Sequence, residues 1–386
     1  MKKICVVITA RPSYSRIKTV LSSIKNSEKL ELQIVLGASA LLERYGPVID
    51  IIKNDGFDPS EIVHMVLEGG DLSTSAKSTG LGIIELASTF KNLKPDIVLT
   101  VADRYETMAT AIAAAYSNIP LAHVQGGEIS GSIDEKVRHA VTKLSDIHFV
   151  STDLAKTRLI KMGESPDNVF VTGCPSIDIA KEVLNETGTS QKQFNPFELY
   201  GGVGNKFSTK DGYIVVLQHP VTTEYSDSMY QIEQTMEAID KIKYPTFWFW
   251  PNVDAGSDKI SKALRLKREQ KKLESVYFLK NLSPEDFIKL LINSKCLIGN
   301  SSVGIRECSY IGTPVVNIGN RQSGRERGNN VIDADYIAKD ILAAVQNQIS
   351  KSNYPSTNLY GDGFAGKNIT NLLEIQNPTI NKKLSY

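Results

Sequence analysis

The chain has 386 residues, the length of two domains or three, and its 41% hydrophobic content is ample for packed cores and excludes global disorder. With 44 basic against 43 acidic residues the formal charge is +1, so electrostatics give no reason to propose nucleic acid or an anionic membrane as partner. Cys5, Cys174, Cys296 and Cys308 show no C-x-x-C spacing and read as small buried hydrophobes of a reduced compartment; no apolar run is long enough to span a bilayer, so a soluble, cytoplasmic protein is expected.

Met1-Lys2-Lys3 and the apolar run to Ala10 superficially resemble a secretion signal. The run is short and stops at Arg11-Pro12, so Ile4–Thr9 reads as a first strand buried on both faces. A helical stretch to about Asn26 follows, then a strand over Glu31–Leu36, a helix over Val48–Lys53 and an extended piece over Ile62–Val66. Ser73–Lys91 is a long helix. Next come a strand at Ile97–Val101, an Ala-rich helix at Arg104–Tyr116 and a strand at Pro120–Val124. After a Gly-rich loop over Gln125–Ile133, helices at Asp134–Leu144 and Leu154–Met162 alternate with strands at Ile147–Val150 and Val169–Thr172. This βαβα rhythm predicts a parallel sheet with helices on both faces.

Between about Asn185 and Asp211 the rhythm breaks in a stretch rich in Gln, Asn, Ser, Thr and Gly, which reads as a linker or irregular insertion. It resumes with strands at Tyr213–Leu217, Thr246–Trp250, Val276–Leu279 and Cys296–Ile298 and helices at Glu224–Ile242, Ser257–Glu269 and Pro284–Asn293. A helix is expected from near Ser302 to Gly312, then a strand over Thr313–Ile318, a helix over Tyr336–Gln346 and a last helix to about Ile375. The whole predicts an α/β protein of two Rossmann-like domains facing across a cleft.

Ligands of such sheets bind beyond the carboxyl ends of the strands. Polar residues stand at six of these ends: Arg11; Asp103-Arg104; Gln125 to Glu128; Gln218-His219-Pro220; Asn252 and Asp254; and Asn300-Ser301-Ser302. Taken singly, Asp103 could cap a helix, His219 could be a core imidazole and Asn252 a turn residue; six together point to a ligand. The Ser301-Ser302 turn offers an anion the start of a helix, with Arg321, Arg325 and Arg327 close behind. Glu307 in the same unit would repel phosphate and suits a sugar hydroxyl, which suggests a nucleotide-sugar diphosphate. The first half supplies carboxylates instead: Asp103, Glu106, Glu128, Asp134 and Glu135. Such a set suits acid/base work at carbon or at a glycosidic bond. His219 could donate a proton or hydrogen bond to a leaving phosphate.

No G-x-G-x-x-G follows a strand, no phosphate-binding G-x-x-x-x-G-K-[ST] occurs, and the five histidines show no zinc-ligand spacing. Neither a cofactor nor a metal is expected.

The chain resembles the hydrolysing UDP-N-acetylglucosamine 2-epimerases of sialic acid biosynthesis. The resemblance rests on Thr9-Ala10-Arg11, Ala102-Asp103-Arg104, His123 to Ser130, Asp134-Glu135 with Arg138-His139, Gly173 to Ser176 and Gln218 to Thr223. It continues through Pro251-Asn252, Gly299 to Ser302, Arg306-Glu307, Arg321-Gln322 and Tyr360 to Gly363. It implies a GT-B-type fold with domains over 1–180 and 181–363, and a C-terminal helix over about 364–386 packing back on the first. It implies anti elimination of UDP from UDP-GlcNAc, through 2-acetamidoglucal, then water addition to give N-acetylmannosamine for a capsule or surface polysaccharide, by a dimer or tetramer. The resemblance places Arg11, His219, Ser301, Ser302 and Arg321 on the diphosphate and Glu307 on the ribose. It places Asn252 on the substrate and the backbone around Lys280–Leu282 on uracil, with Arg104 also in the substrate-binding set. Asp103, Glu128 and Asp134 are the acid/base candidates, with Glu135 in reserve. Many relatives carry Glu where this chain has Gln125, and an amide is no general base. The same chemistry on UDP-2,4-diacetamido-2,4,6-trideoxyglucose and a GT-B glycosyltransferase are the alternatives.

Overall fold

Strands Lys2–Ile8 (β1), Leu30–Gly37 (β2), Glu61–Val63 (β3), Ile97–Val101 (β4), Leu121–Val124 (β5), Ile147–Val150 (β6) and Val169–Val171 (β7) pair in the order β3-β2-β1-β4-β5-β6-β7. Every pairing is parallel. The computed structural model describes the chain except residues 43–47, 68–71, 131–132, 188–193, 252–256, 271 and 386. Side chains along β1 alternate between two cores, as the two-residue period of a strand requires. Ile4, Val6 and Ile8 pack with Val20, Leu21, Ile24, Ile369 and Leu373 on one face; Cys5 and Val7 pack with Leu86, Phe90 and Ala109 on the other. That is why the run is apolar at every position.

A second sheet comprises Gly202–Gly204 (β8), Ile214–Leu217 (β9), Thr246–Phe249 (β10), Val276–Leu279 (β11), Cys296–Gly299 (β12), Val315–Ile318 (β13) and Val331–Ala334 (β14), in the order β14-β13-β12-β9-β10-β11-β8. All pairings are parallel except β8, which runs antiparallel to β11. The chain accordingly divides into two compact units: Met1–Glu128, Ile133–Lys181 and Tyr360–Tyr386, and Ile129–Ser132 with Glu182–Leu359.

Three expectations need correction. The stretch read as a linker contains the edge strand β8. Its glycines hid it, since glycine is a poor strand former, yet β8 needs them: a Cβ on Gly202 would lie 2.3 Å from the Tyr277 ring, and one on Gly204 2.3 Å from the Val276 carbonyl. The C-terminal helix covers Ala365–Ile375, ending where the sequence pattern put it and short of the span over 364–386 that the resemblance implies. Asp178 caps its start, accepting from the Ala365 and Gly366 amides at 2.9 and 2.7 Å. The rest of the tail is fastened by Lys382, whose Nζ reaches Glu164 at 2.6 Å and the carbonyls of Thr142 and Ser145 at 2.9 and 2.6 Å. The third correction concerns the turn after β12. The helix begins at Glu307, not near Ser302, and ends at Gly312 in the left-handed conformation, φ 78°. Residues Ser302–Arg306 form tight turns, with the amides of Ile305 and Arg306 both on the Ser302 carbonyl. Gly304 favours the departure: its hydrogen faces Val315, and a Cβ there would sit 2.8 Å from that side chain.

Candidate active site

In each sheet the strand order reverses once, and there the loops at the carboxyl ends diverge to leave a crevice. The reversal lies between β1 and β4 in the first sheet and between β9 and β12 in the second. Arg11 and Asp103-Arg104 follow the first pair; Gln218-His219 and Asn300-Ser301-Ser302 follow the second.

In the first unit, β4 and β5 end alike. Ala102 and Gln125, the residues that follow them, both adopt φ 67°, a left-handed conformation rare for residues with a side chain. Their amides still complete the sheet ladder, donating to the carbonyls of Val124 and Phe149 at 3.0 and 2.9 Å. The kinks turn Asp103 and Glu128 out of the strand direction while leaving them buried, at 8% and 5% exposure. Gly127 (φ 74°) makes the second turn possible, since a Cβ there would lie 2.4 Å from the Ala155 carbonyl.

Arg138 joins these elements. It stands one turn into the helix Asp134–Leu144, almost wholly buried. Its guanidinium pairs with the Asp103 carboxylate, donates to the Glu128 carbonyl at 2.6 Å and lies 3.6 Å from Glu135. Ser151 donates to Glu128 Oε1 at 3.1 Å. The carboxylates of Asp103 and Glu135 and the backbone carbonyl of Glu128 thus meet at one cation. Asp134 opens the same helix, half-buried. Arg104 is engaged by the fully buried Glu106, at 3.2 and 3.3 Å through Nε and Nη2. The Gln125 amide donates to Cys174 Sγ at 2.9 Å, and so is occupied as a structural donor. Arg138 was visible in the sequence only as part of a motif. The usable signal was its spacing, three and four residues after Glu135 and Asp134 on one helix face.

In the second unit, Asn300 is fully buried and forms a two-way clamp on the His219 backbone. The Asn300 carbonyl in turn accepts from Gln322 Nε2 at 2.8 Å and Arg321 Nη1 at 3.3 Å. Gly299 (φ 136°) permits this convergence, since a Cβ would lie 2.1 Å from the Leu217 carbonyl. Ser302 accepts from Arg306 at 2.7 Å, while Ser301 is half-exposed. Glu307, 5% exposed, keeps Oε2 buried without a hydrogen-bond partner; Gln218 Oε1 and Gln322 Oε1 are in the same condition. Three buried acceptors left open in this unit suit a ligand that brings hydroxyl or N–H donors. Leu282 is buried and Lys280 exposed beyond β11. Arg325 donates to the Ile129 carbonyl at 2.6 Å, a bond within the second unit. Arg11 begins the short helix Arg11–Ser15. Its side chain, together with all of Asn252 and Asp254, lies outside the described residues. Among the described residues no cluster of three or more His, Cys, Asp or Glu could hold a metal ion.

Two Rossmann-like units with these strand orders define an α/β protein of GT-B type. A family model described as UDP-N-acetylglucosamine 2-epimerase matches residues 22–374. The hydrolysing UDP-N,N'-diacetylbacillosamine 2-epimerase of Legionella pneumophila is 33% identical over 389 residues, covering 100% of both chains. The polysialic acid biosynthesis protein P7 of Escherichia coli is 31% identical over 336 residues, covering 86% of this chain and 82% of that one. The crystal structure of Neisseria meningitidis UDP-GlcNAc 2-epimerase bound to UDP-GlcNAc superposes with a TM-score of 0.78 at 18% identity, covering 96% of this chain and 99% of that one. The chain belongs to the hydrolysing UDP-N-acetylglucosamine 2-epimerase family and is a UDP-sugar 2-epimerase. Among the described residues no helix is long and apolar enough to cross a membrane.

Proposed function

We propose that the chain is a hydrolysing 2-epimerase: it eliminates UDP from a UDP-2-acetamido sugar and adds water to the resulting 2-acetamidoglycal, releasing a free sugar inverted at C2. The observation that carries this reading is the pair Asp103 and Glu128, two carboxylates buried beyond the ends of adjacent strands, with Arg138 paired to the Asp103 carboxylate and bonded to the Glu128 backbone carbonyl. As the bond from C1 to the diphosphate breaks, positive charge builds at C1 and acidifies the C2 proton. A carboxylate takes that proton, the C2–H electrons become the C1=C2 bond, and UDP leaves with the other pair. Proton return to C2 from the opposite side, with water adding at C1, completes the inversion. General acid–base help of this kind is worth roughly 10²–10⁴-fold.

With Gln125 unable to act as a base, Asp103, Glu128 and Asp134 share the proton work, with Glu135 in reserve. His219, Ser301, Ser302, Arg321 and Arg11 hold the diphosphate, and Glu307 the ribose through its open acceptor. Asn252 and Arg104 serve the substrate, and the backbone over Lys280–Leu282 meets uracil. On UDP-GlcNAc the product is N-acetylmannosamine, for sialic acid synthesis, made in the cytoplasm by a homodimer or tetramer. A second reading has a specific observation behind it: the full-length match to a diacetylbacillosamine enzyme favours UDP-2,4-diacetamido-2,4,6-trideoxyglucose. The bonds made and broken are the same for both sugars.

Incubation of the chain with each UDP-sugar in deuterated water, followed by NMR, tests the proposal. Free C2-inverted sugar carrying deuterium at C2, together with UDP, is the expected result, and the sugar consumed faster identifies the substrate. Labelled UDP-sugar without free sugar would mean reversible epimerisation. Turnover that needs an acceptor and leaves C2 unlabelled would mean glycosyl transfer.

A further inference from the structure

The bases of the two carboxylate-bearing turns share one buried side chain that the proposed chemistry does not use. His123, fully buried on β5, points its Nε2 at the Ala102 carbonyl, 2.8 Å away. Ala102 is the left-handed residue that turns the chain into Asp103. The other ring nitrogen lies under the second turn: a Cβ on Gly126 would meet His123 Nδ1 at 3.1 Å, two residues before Glu128. Thr142, one turn beyond Arg138 on the same helix, faces Nδ1 at 3.5 Å. One ring therefore touches all three elements that carry Asp103, Glu128 and Arg138.

We propose that His123 is a positioning residue: its imidazole, wedged between the Ala102 carbonyl, the Gly126 turn and Thr142, holds Ala102 in its strained conformation and so aims Asp103 relative to Glu128. A carbonyl only accepts, so Nε2 carries the hydrogen; Nδ1 is then the acceptor and takes the Thr142 hydroxyl. Left-handed backbone at a residue with a side chain is strained, and a hydrogen bond from a buried donor offsets that strain. Without the donor, Ala102 relaxes toward ordinary dihedrals and Asp103 swings with it. Burial lowers the imidazole pKa to about 4, against the opposing effect of the hydrogen bond to the Ala102 carbonyl and a smaller one from Glu128, and alongside His148 and Lys382, which also lower it. The ring is therefore neutral where the enzyme works and adds no charge to the carboxylate pair.

The inference rests on the reading of Asp103 and Glu128 as the acid/base pair, so the experiment separates the two. Four full-length variants, His123→Phe, His123→Gln, Asp103→Asn and Glu128→Gln, are assayed on both UDP-sugars with kcat and KM resolved. Urea unfolding reports the folded fraction of each. Glutamine places its amide nitrogen near the position of imidazole Nε2, whereas phenylalanine fills the space without a donor. His123→Phe should lose roughly 10–100-fold in kcat, the cost of an ångström-scale misplacement, at unchanged KM, and His123→Gln should recover most of it. In ¹⁵N spectra of the wild-type chain, His123 should appear as the neutral Nε2–H tautomer down to pH 5. A normal kcat in folded His123→Phe, while the carboxylate variants fail, would overturn the inference alone; so would an Nδ1–H tautomer or a loss that only follows the unfolded fraction. Wild-type rates in Asp103→Asn and Glu128→Gln would overturn the carboxylate reading, and this inference with it.

Discussion

The Asn300 side chain satisfies both backbone groups of His219: its Oδ1 accepts from the His219 amide at 2.8 Å and its Nδ2 donates to the His219 carbonyl at 2.8 Å. Amide pairing of this kind normally continues a β-ladder, but here the strands have ended, and a side chain replaces the missing neighbour. The turn after β9 is thereby tied to the turn after β12. Asn300→Leu removes both bonds and leaves two part-buried backbone groups unpaired, each costing at most about 1–3 kcal/mol. Urea denaturation should show a loss of that order, and calorimetry a weaker affinity for UDP. His219→Ala keeps the clamp, because the clamp uses only backbone. Its stability should be close to wild type while kcat falls, and a stability loss equal to that of Asn300→Leu would contradict this division of roles.

Asp103→Asn and Glu128→Gln test the acid/base pair directly. Each substitution keeps size and hydrogen-bonding capacity but removes the ability to take a proton. Turnover should drop by about 10²–10⁴-fold, while UDP affinity, measured separately by calorimetry, changes little. Near-normal rates in both variants would move the proton work to Asp134 or Glu135.

Arg138→Met asks what the shared cation contributes. Removing one partner of a buried ion pair costs roughly 3–5 kcal/mol, because the other charge is left uncompensated. In the Asp103→Asn background that charge is already gone, so the same change should cost distinctly less. Equal costs in the two backgrounds, in a double-mutant cycle followed by urea unfolding, would mean the two side chains do not interact.

Much of this was legible beforehand for a physical reason. Continuous apolar runs such as Ile4–Ile8 and Cys296–Ile298 mark strands buried on both faces, and the residues after them fall at the sheet's carboxyl edge by construction. Asp103, Glu128, His219 and Ser302 could thus be placed without coordinates. What stayed hidden depends on tertiary contact. β8 is glycine-rich because Tyr277 and the Val276 carbonyl lie against it, and no local pattern reports that. The turns over Ser302–Arg306 stand where helix was expected, and Gly304 there lies so close to Val315 that a Cβ would sit 2.8 Å from its side chain, a contact no local pattern reports. Arg138 and His123 meet a carboxylate and a carbonyl far away in sequence, and no local pattern shows those partners, although the spacing of Arg138 after Asp134 and Glu135 marks its helix face.

Acid should destabilise the first unit through His123 and Glu164, with buried His148, whose pKa burial also lowers, acting in the same direction. For His123, burial holds the folded pKa at about 4 against 6.5 when free. The unfolded chain therefore takes up a proton first as pH falls below 6.5, and the stabilisation present above 6.5 is lost on the way to 4. For Glu164, burial alone would raise the pKa. Hydrogen bonds from His148, Lys143 and Lys382 outweigh that and hold it at about 2, against 4.5 when free. Its contribution is present above 4.5 and is lost between 4.5 and 2. The urea midpoint should fall in two stages, across pH 6.5–4 and again below 4.5. His123→Phe should flatten the first stage and Glu164→Gln the second.

Lys382→Met tests whether the tail is a structural part of the first unit. The ammonium is only a quarter exposed, and its partners are the Glu164 carboxylate and the carbonyls of Thr142 and Ser145. Those carbonyls end the helix Asp134–Leu144, where a cation also suits the helix dipole. Glu164 keeps Lys143 at 2.6 Å and His148 at 3.0 Å, so the change weakens its compensation without abolishing it. The expected cost is about 1–3 kcal/mol, together with faster hydrogen exchange over the carboxyl end of that helix. Because Thr142 also faces His123, kcat should fall modestly while UDP affinity holds. Unchanged exchange at Thr142 to Ser145 would show that the tail is dispensable.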